Sequence, residues 1–177
     1  FPWFVIWDDH EVVNNRAGGA TFATEEERSA FQERRAAGYK AWWEHQPVRL
    51  PPPNAGELPI HRSIQFGSLA SLFFLDTRQY RTDQPNGDHQ KPMIGKALDH
   101  RATMLGARQE HWLMRSLAQS TATWNVLAQQ VMMARVDRAP GTAEQISMDQ
   151  WSGYEVARRR LMEFLAARAS ALLGCYY

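Results

Sequence analysis

Three carboxylates, one imidazole and two carboxamides fall within eight consecutive residues, Asp8-Asp9-His10-Glu11-Val12-Val13-Asn14-Asn15. Clustered carboxylates repel one another, so bringing them together requires a cation or several hydrogen-bond donors nearby. Carboxylate and amide oxygens are ligands for hard cations such as Ca2+ or Mg2+, and the imidazole widens the choice to iron or zinc. Cations at such a cluster would neutralise an anionic ester and make water a better nucleophile. Histidine titrates near neutral pH, so His10 suits protonation of a departing alkoxide. The same residues suit plainer work. Asp8 and Asp9 could be turn or helix-capping acids, His10 a structural histidine, and Asn14 and Asn15 turn formers. Spacing alone leaves both sets of readings open.

The elements flanking this cluster determine where it sits. Phe4-Val5-Ile6-Trp7 is short, apolar and rich in β-branched and aromatic residues, which predicts a buried strand ending at Asp8-Asp9. In an open α/β sheet, ligands bind in the crevice beyond the carboxyl ends of the strands. Val12 to Gly19 reads as loop. Thr24-Glu25-Glu26-Glu27 is a capping-box pattern that opens a helix running to about Glu44, with Phe31, Gly38 or Tyr39, and Trp42 on one face. Pro47 and Pro51-Pro52-Pro53 end it in an extended linker. Ile60, Ile64 and Phe66 alternate with polar residues, Gly67-Ser68 makes a tight connection, and residues 69–75 form an apolar run ending at Asp76. Together these predict a β-hairpin. Residues 78–101 read as a long loop, 107–119 as a helix, 124–133 as a strand, 137–151 as loop and 154–173 as a helix. Strands alternating with helices imply an α/β fold, and the hairpin implies a mixed sheet.

Composition narrows the setting. With 20 basic and 19 acidic side chains, the net charge of +1 gives no electrostatic case for a nucleic-acid partner. No apolar stretch approaches the roughly 20 residues that span a bilayer. One cysteine, Cys175, cannot form an internal disulfide. Both ends are abrupt: the chain opens within an apolar run and closes directly after a helical pattern. An internal piece of a longer polypeptide is therefore expected.

Ile6-Trp7-Asp8-Asp9-His10-Glu11-Val12, followed by Asn14-Asn15, resembles the signature of the alkaline phosphatase D (PhoD) family. In the same order as in that family come Phe74-Leu75-Asp76-Thr77-Arg78-Gln79-Tyr80-Arg81, Met104-Leu105-Gly106 with Gln109 and Trp112-Leu113, Trp124-Asn125-Val126-Leu127-Ala128-Gln129-Gln130-Val131, and Trp151-Ser152-Gly153-Tyr154. The resemblance implies a calcineurin-like metallophosphoesterase fold, with two packed β-sheets flanked by helices. It further implies hydrolysis of phosphate monoesters or diesters, a small phosphoester substrate, Ca2+ and Fe3+ as cofactors, and an exported bacterial protein, periplasmic or extracellular.

Carried over residue by residue, the resemblance places Asp9 at a metal-ligand position with Asp8 beside it, His10 at the leaving-group position, and Asn15 at an amide ligand to calcium. Asn14 is the less favoured choice for that ligand and is expected near the substrate. Arg78 suits phosphate through its planar fork, and a surface ion pair with Asp76 or Asp83 is equally open for it. Ser152 stands where the family usually has aspartate. The upstream cysteine-containing and Gly-Asp-x-x-Tyr segments and the downstream Gly-Asp-x-His segment of the family are not found here. The chain alone is thus expected to be an inactive piece of the enzyme. The alternative is a truncated or degenerate homologue that serves as a non-catalytic binding domain. Trp3, Trp42, Trp43, Trp112, Trp124 and Trp151 are expected in the core, as is Met132-Met133. His89, His100 and Arg158-Arg159-Arg160 are expected to be solvated.

Overall fold

The computed structural model describes residues 3–18 and 20–169. In chain order its regular elements are α1 (Glu25–His45), β1 (Arg62–Phe66), β2 (Ala70–Phe74), β3 (Gln90–Lys91), α2 (Gly106–Gln119), β4 (Trp124–Ala128), β5 (Ile146–Ser147) and α3 (Glu155–Ala169). Helix α1 begins where the side chains can satisfy its free N–H groups. The Thr24 hydroxyl accepts from the Glu27 N–H at 3.2 Å, and the Glu27 carboxylate accepts from the Ala23 N–H at 2.9 Å. Tyr39 and Trp42 are the buried residues of this helix. Trp7 stacks on Tyr39 with ring centroids 4.3 Å apart and meets Trp42 edge-on at 5.3 Å. With Val12, Leu58 and Ile60 these rings make one apolar core. Arg16 closes it, its guanidinium 4.7 Å and 4.8 Å from the Trp7 and Tyr39 ring centres, so that ring quadrupoles face the buried cation.

The predicted hairpin forms: β1 and β2 run antiparallel with Ile64 opposite Leu72. On its other edge β2 pairs in parallel with β4, Leu72 opposite Val126, giving a three-stranded mixed sheet in the order β1-β2-β4. Two parallel neighbours need a long crossover, and here it contains α2. A second core fills the space between this sheet, α2 and α3, through Phe73, Leu75, Leu113, Leu117, Trp151 and Leu161. The α/β class and mixed sheet therefore hold.

Several sequence expectations need correction. Residues 4–7 are extended but belong to no strand. The Val5 carbonyl accepts from the Arg62 side chain at 2.8 Å rather than from a neighbouring strand. The segment lies beside the first two strands, with the Phe4 ring on Phe66 and Phe74, but it makes no backbone ladder with a described strand. Strand β4 ends at Ala128 instead of Met133. Two stretches read as loop carry the β3–β5 ribbon and a 3-10 turn at Gly95–Leu98. Trp3 is 75% exposed, and Trp124 and Met132 are also exposed. Trp42, Trp151 and Met133 are buried as expected. The end of the last predicted helix, beyond residue 169, lies outside the described residues.

An apolar groove of about 760 Å3 runs beside β4 and α3, lined by Phe4, Phe74, Leu127, Met133 and Leu165 among others. Leu113 is fully buried at the centre of the second core. Truncating it to alanine should cost about 3 kcal/mol, read as a drop in the denaturant midpoint with unchanged slope.

Candidate functional site

The chain leaving β2 enters a segment whose backbone is held by side chains in place of strands. Gln109 donates through Nε2 to the Asp76 carbonyl at 2.8 Å and accepts from the Asp76 N–H at 2.8 Å through Oε1. Gln130 accepts from the Thr77 N–H at 3.2 Å and from its hydroxyl at 2.6 Å, and donates to the Leu75 carbonyl at 2.8 Å. Buried peptide groups need partners, and these two glutamines supply them just past the carboxyl ends of β2 and β4. The Asp76 carboxylate accepts from the Arg78 and Gln79 N–H groups at 3.0 Å and 2.9 Å, fixing a tight turn. That turn aims the Arg78 side chain inward.

Arg78 is 3% exposed. Its Nε donates to Asp8 Oδ1 at 2.5 Å, and its Nη1 donates to both carboxylate oxygens of Asp149 at 3.0 Å and 3.1 Å. Its Nη2 lies 3.8 Å from Asp9 Oδ1. Burial alone would lower the guanidinium pKa, and the carboxylates of Asp149, Asp8 and Asp9 overcome it, so the arginine is held more firmly charged than usual. The surface pair with Asp76 or Asp83 does not form. The Asp76 carboxylate caps backbone N–H groups, and Asp83 accepts from the Thr21 N–H at 3.0 Å.

The acidic cluster folds as a turn. The Asp9 carbonyl accepts from the Val12 and Val13 N–H groups at 2.9 Å and 3.1 Å. The buried Asp9 carboxylate accepts from the Asn15 N–H at 2.5 Å. Asn15 has φ 51°, the left-handed region that asparagine tolerates better than most residues. Its amide nitrogen donates to both oxygens of Asp88 at 2.8 Å. His10 is exposed, with Nε2 3.0 Å from Asn14 Oδ1, where the imidazole donates, and 3.8 Å from Asp9 Oδ2. Gly18 ties the two loops together. Its N–H donates to the Arg78 carbonyl at 3.0 Å, and a Cβ there would lie 1.7 Å from the Gln79 carbonyl oxygen.

All six residues singled out from the sequence, Asp8, Asp9, His10, Asn14, Asn15 and Arg78, therefore stand in one connected network. Four others were missed. Asp149 grips Arg78, Arg81 and Gln84 both reach the Asn15 carbonyl and Asp149, and Asp88 receives the Asn15 amide. Asp149 is placed by its neighbours. Trp151 donates to Gln129 at 2.5 Å and Tyr154 donates to the Thr82 carbonyl at 2.7 Å, so the segment after β5 cannot drift. The local hint was an acid two residues before the Trp151-Ser152-Gly153-Tyr154 motif. Its partner lies 71 residues away.

The donor types suit a hard cation: carboxylates of Asp8, Asp9 and Asp88, amide oxygens of Asn14 and Asn15, and one imidazole. Their number falls short. Among the described residues no three His, Cys, Asp or Glu side chains gather closely enough to hold a metal ion. His89 and His100 are exposed and add none.

A mixed α/β fold with a buried arginine clamped by acids past the strand ends thus defines the site, and residues 1–172 match the family model for PhoD-like phosphatase. The chain belongs to that family. It is 43% identical to alkaline phosphatase D of Bacillus subtilis (strain 168) over 169 residues, covering 95% of this chain and 29% of that protein. A solved structure titled "Structure of PhoD" superposes with a TM-score of 0.88 at 44% identity, covering 95% of this chain and 32% of that one. The chain therefore spans about a third of the length of the relatives it matches.

Burial pushes the Asp9 carboxyl pKa up, but the Asn15 N–H and the Arg78 charge more than offset it, so Asp9 lies below the ordinary carboxylate value. A carboxyl depressed in the folded state stabilises the fold above its unfolded pKa of about 4, and the benefit fades as pH falls through the folded value. Asp9→Asn should accordingly be less stable than the wild type at pH 7, with the gap closing below about pH 4. Urea midpoints of both proteins between pH 3 and pH 7 check this. A gap independent of pH would contradict it.

Proposed function

We propose that the polypeptide containing this chain hydrolyses phosphate monoesters or diesters with the aid of bound cations, and that this chain contributes one wall of the active site. Family membership supports phosphoester chemistry. The observation that carries the reading is the Arg78 guanidinium fixed between Asp8 and Asp149, with Asp9 and His10 alongside.

Asp9, with Asp8 and the amide oxygen of Asn15 or Asn14, would hold part of a cation shell. Bound cations supply neutralisation of the phosphoryl oxygens and activation of the attacking water. The oxygen-rich donors suit Ca2+. The Fe3+ implied by the family resemblance would need donors beyond the described residues. Arg78 offers a planar, permanently charged fork to a phosphoryl oxygen. Asp8 is only half-buried, so a phosphoester can compete with it for that fork. His10 is exposed with its Nε2 held by Asn14, and as an imidazolium it would offer its Nδ1 proton to a departing alkoxide. The complete domain, in this proposal, carries the double-sheet architecture of calcineurin-like phosphoesterases and works outside the bacterial cytoplasm. A non-catalytic binding role draws no support from the family match.

In this reading the isolated chain turns over poorly, and the longer polypeptide is active with Ca2+ and loses activity to a chelator. Replacing His10 with alanine in the longer polypeptide should lower kcat by about 10²- to 10⁴-fold on an alkyl phosphate, whose leaving group needs a proton. The loss should be much smaller on p-nitrophenyl phosphate, whose phenolate leaves unaided. Equal losses on both esters would remove His10 from the leaving-group role. Robust turnover by the isolated chain would show that the donors here suffice.

A further inference from the structure

Arg81 is completely buried, so no ligand in solution reaches it. Both arms of the candidate site nevertheless lean on it. Its Nη2 donates to the Asn15 carbonyl at 2.8 Å and to Asp149 Oδ1 at 2.6 Å, and its Nη1 donates to the Asp149 carbonyl at 3.0 Å. The carboxylate it holds is the one that grips Arg78. The carbonyl it holds belongs to Asn15, whose left-handed backbone points its N–H at Asp9. A residue in that conformation persists only where its surroundings over-determine it. Gln84 reaches the same carbonyl and the same carboxylate, the latter at 3.3 Å, and is a weaker second strut.

We propose that Arg81 is a positioning residue that couples the phosphate-binding arm, Arg78, to the cation-binding arm, Asp9 and Asn15. The inference rests on the reading of the site given above. Its physical basis is the shape of the guanidinium. A planar fork meets three acceptors on two segments at once, whereas a lysine ammonium offers one nitrogen on a flexible stem. A buried ion pair is weak evidence for stability alone, because desolvation offsets much of the attraction. What the pair with Asp149 does supply is a fixed separation between two loops that otherwise meet through Gly18 and the acid contacts to Arg78.

The test uses the longer polypeptide that carries this chain, with KM for a phosphomonoester and Ca2+ affinity by calorimetry without substrate as separate readouts. Arg81→Lys keeps the charge and loses the fork. It should raise KM and weaken Ca2+ binding together, each by about tenfold, the scale of one lost charge-assisted hydrogen bond. Asn15→Ala should weaken Ca2+ binding with KM within twofold, whereas Arg78→Lys should raise KM by far more than it weakens Ca2+, the smaller change coming through its contacts with Asp8 and Asp9. The Arg78→Lys/Arg81→Lys double variant should raise KM by less than the product of the single effects. A change in thermal midpoint with KM and Ca2+ affinity both within twofold of wild type would overturn the coupling and leave Arg81 merely structural. So would multiplicative effects in the double variant. If Arg81→Lys does not accumulate folded, Asp149→Asn retains the backbone contact and the shape, and it should show the same paired change; its absence would overturn the proposal equally. A wild-type protein with neither turnover nor Ca2+ binding would refute the reading of the site itself, and this inference with it.

Discussion

One buried guanidinium organises this chain. Arg78 sits in the interior, where an unpaired charge is prohibitively expensive, and its acids come from loops far away in sequence: Asp8 and Asp149. Each acid is separated from Arg78 by about 70 residues, 70 and 71 respectively. The pairing cannot form until the first core, the sheet and the segment before α3 have all reached their places. Removing any partner would leave charge stranded, so the three segments depend on one another.

The surrounding architecture meets that constraint by fixing loops without adding strands. Gln109 and Gln130 take over the peptide groups of residues 75–77 where β4 has already ended. Tyr154 and Trp151 anchor the segment bearing Asp149 from the second core, and the Trp7–Tyr39 stack anchors the acidic turn from the first. The polar network thus spans the seam between two apolar cores. A site in such a position gains rigidity from both sides, which is the condition for aiming side chains to within a fraction of an ångström.

What could be read from the sequence was what is local. The cap at Thr24, the alternation before Gly67 and the apolar stripe of α2 each involve residues a few positions apart, and all three elements appear. The acid-rich turn was legible for the same reason. Asp8 to Asn15 are neighbours in the chain before they are neighbours in space. Arg81, Asp88 and Asp149 were not legible, since each acts across 66 residues or more. The strand expected at residues 4–7 failed in the opposite sense. Its composition is strand-like, but a strand is defined by its partner, and the backbone there spends its carbonyl on Arg62 instead. Trp3 was misplaced for another reason: aromatic rings were assigned to the core as a class, and at the start of this unpaired segment the ring stays exposed.

Burial divides the ten network residues by what they can do. Asp9, Arg78, Arg81 and Asp149 are buried and bound to one another, whereas His10 and Asn14 are exposed and Asp8, Asn15, Gln84 and Asp88 are half-buried. Solvent reaches only the second group directly. The buried members hold the accessible ones in place through the contacts to Asp8 and Asn15. On its accessible side the turn thus presents carboxylate and amide oxygens beside one imidazole, a donor set of the hard-cation type that is too sparse among the described residues to hold a metal ion by itself.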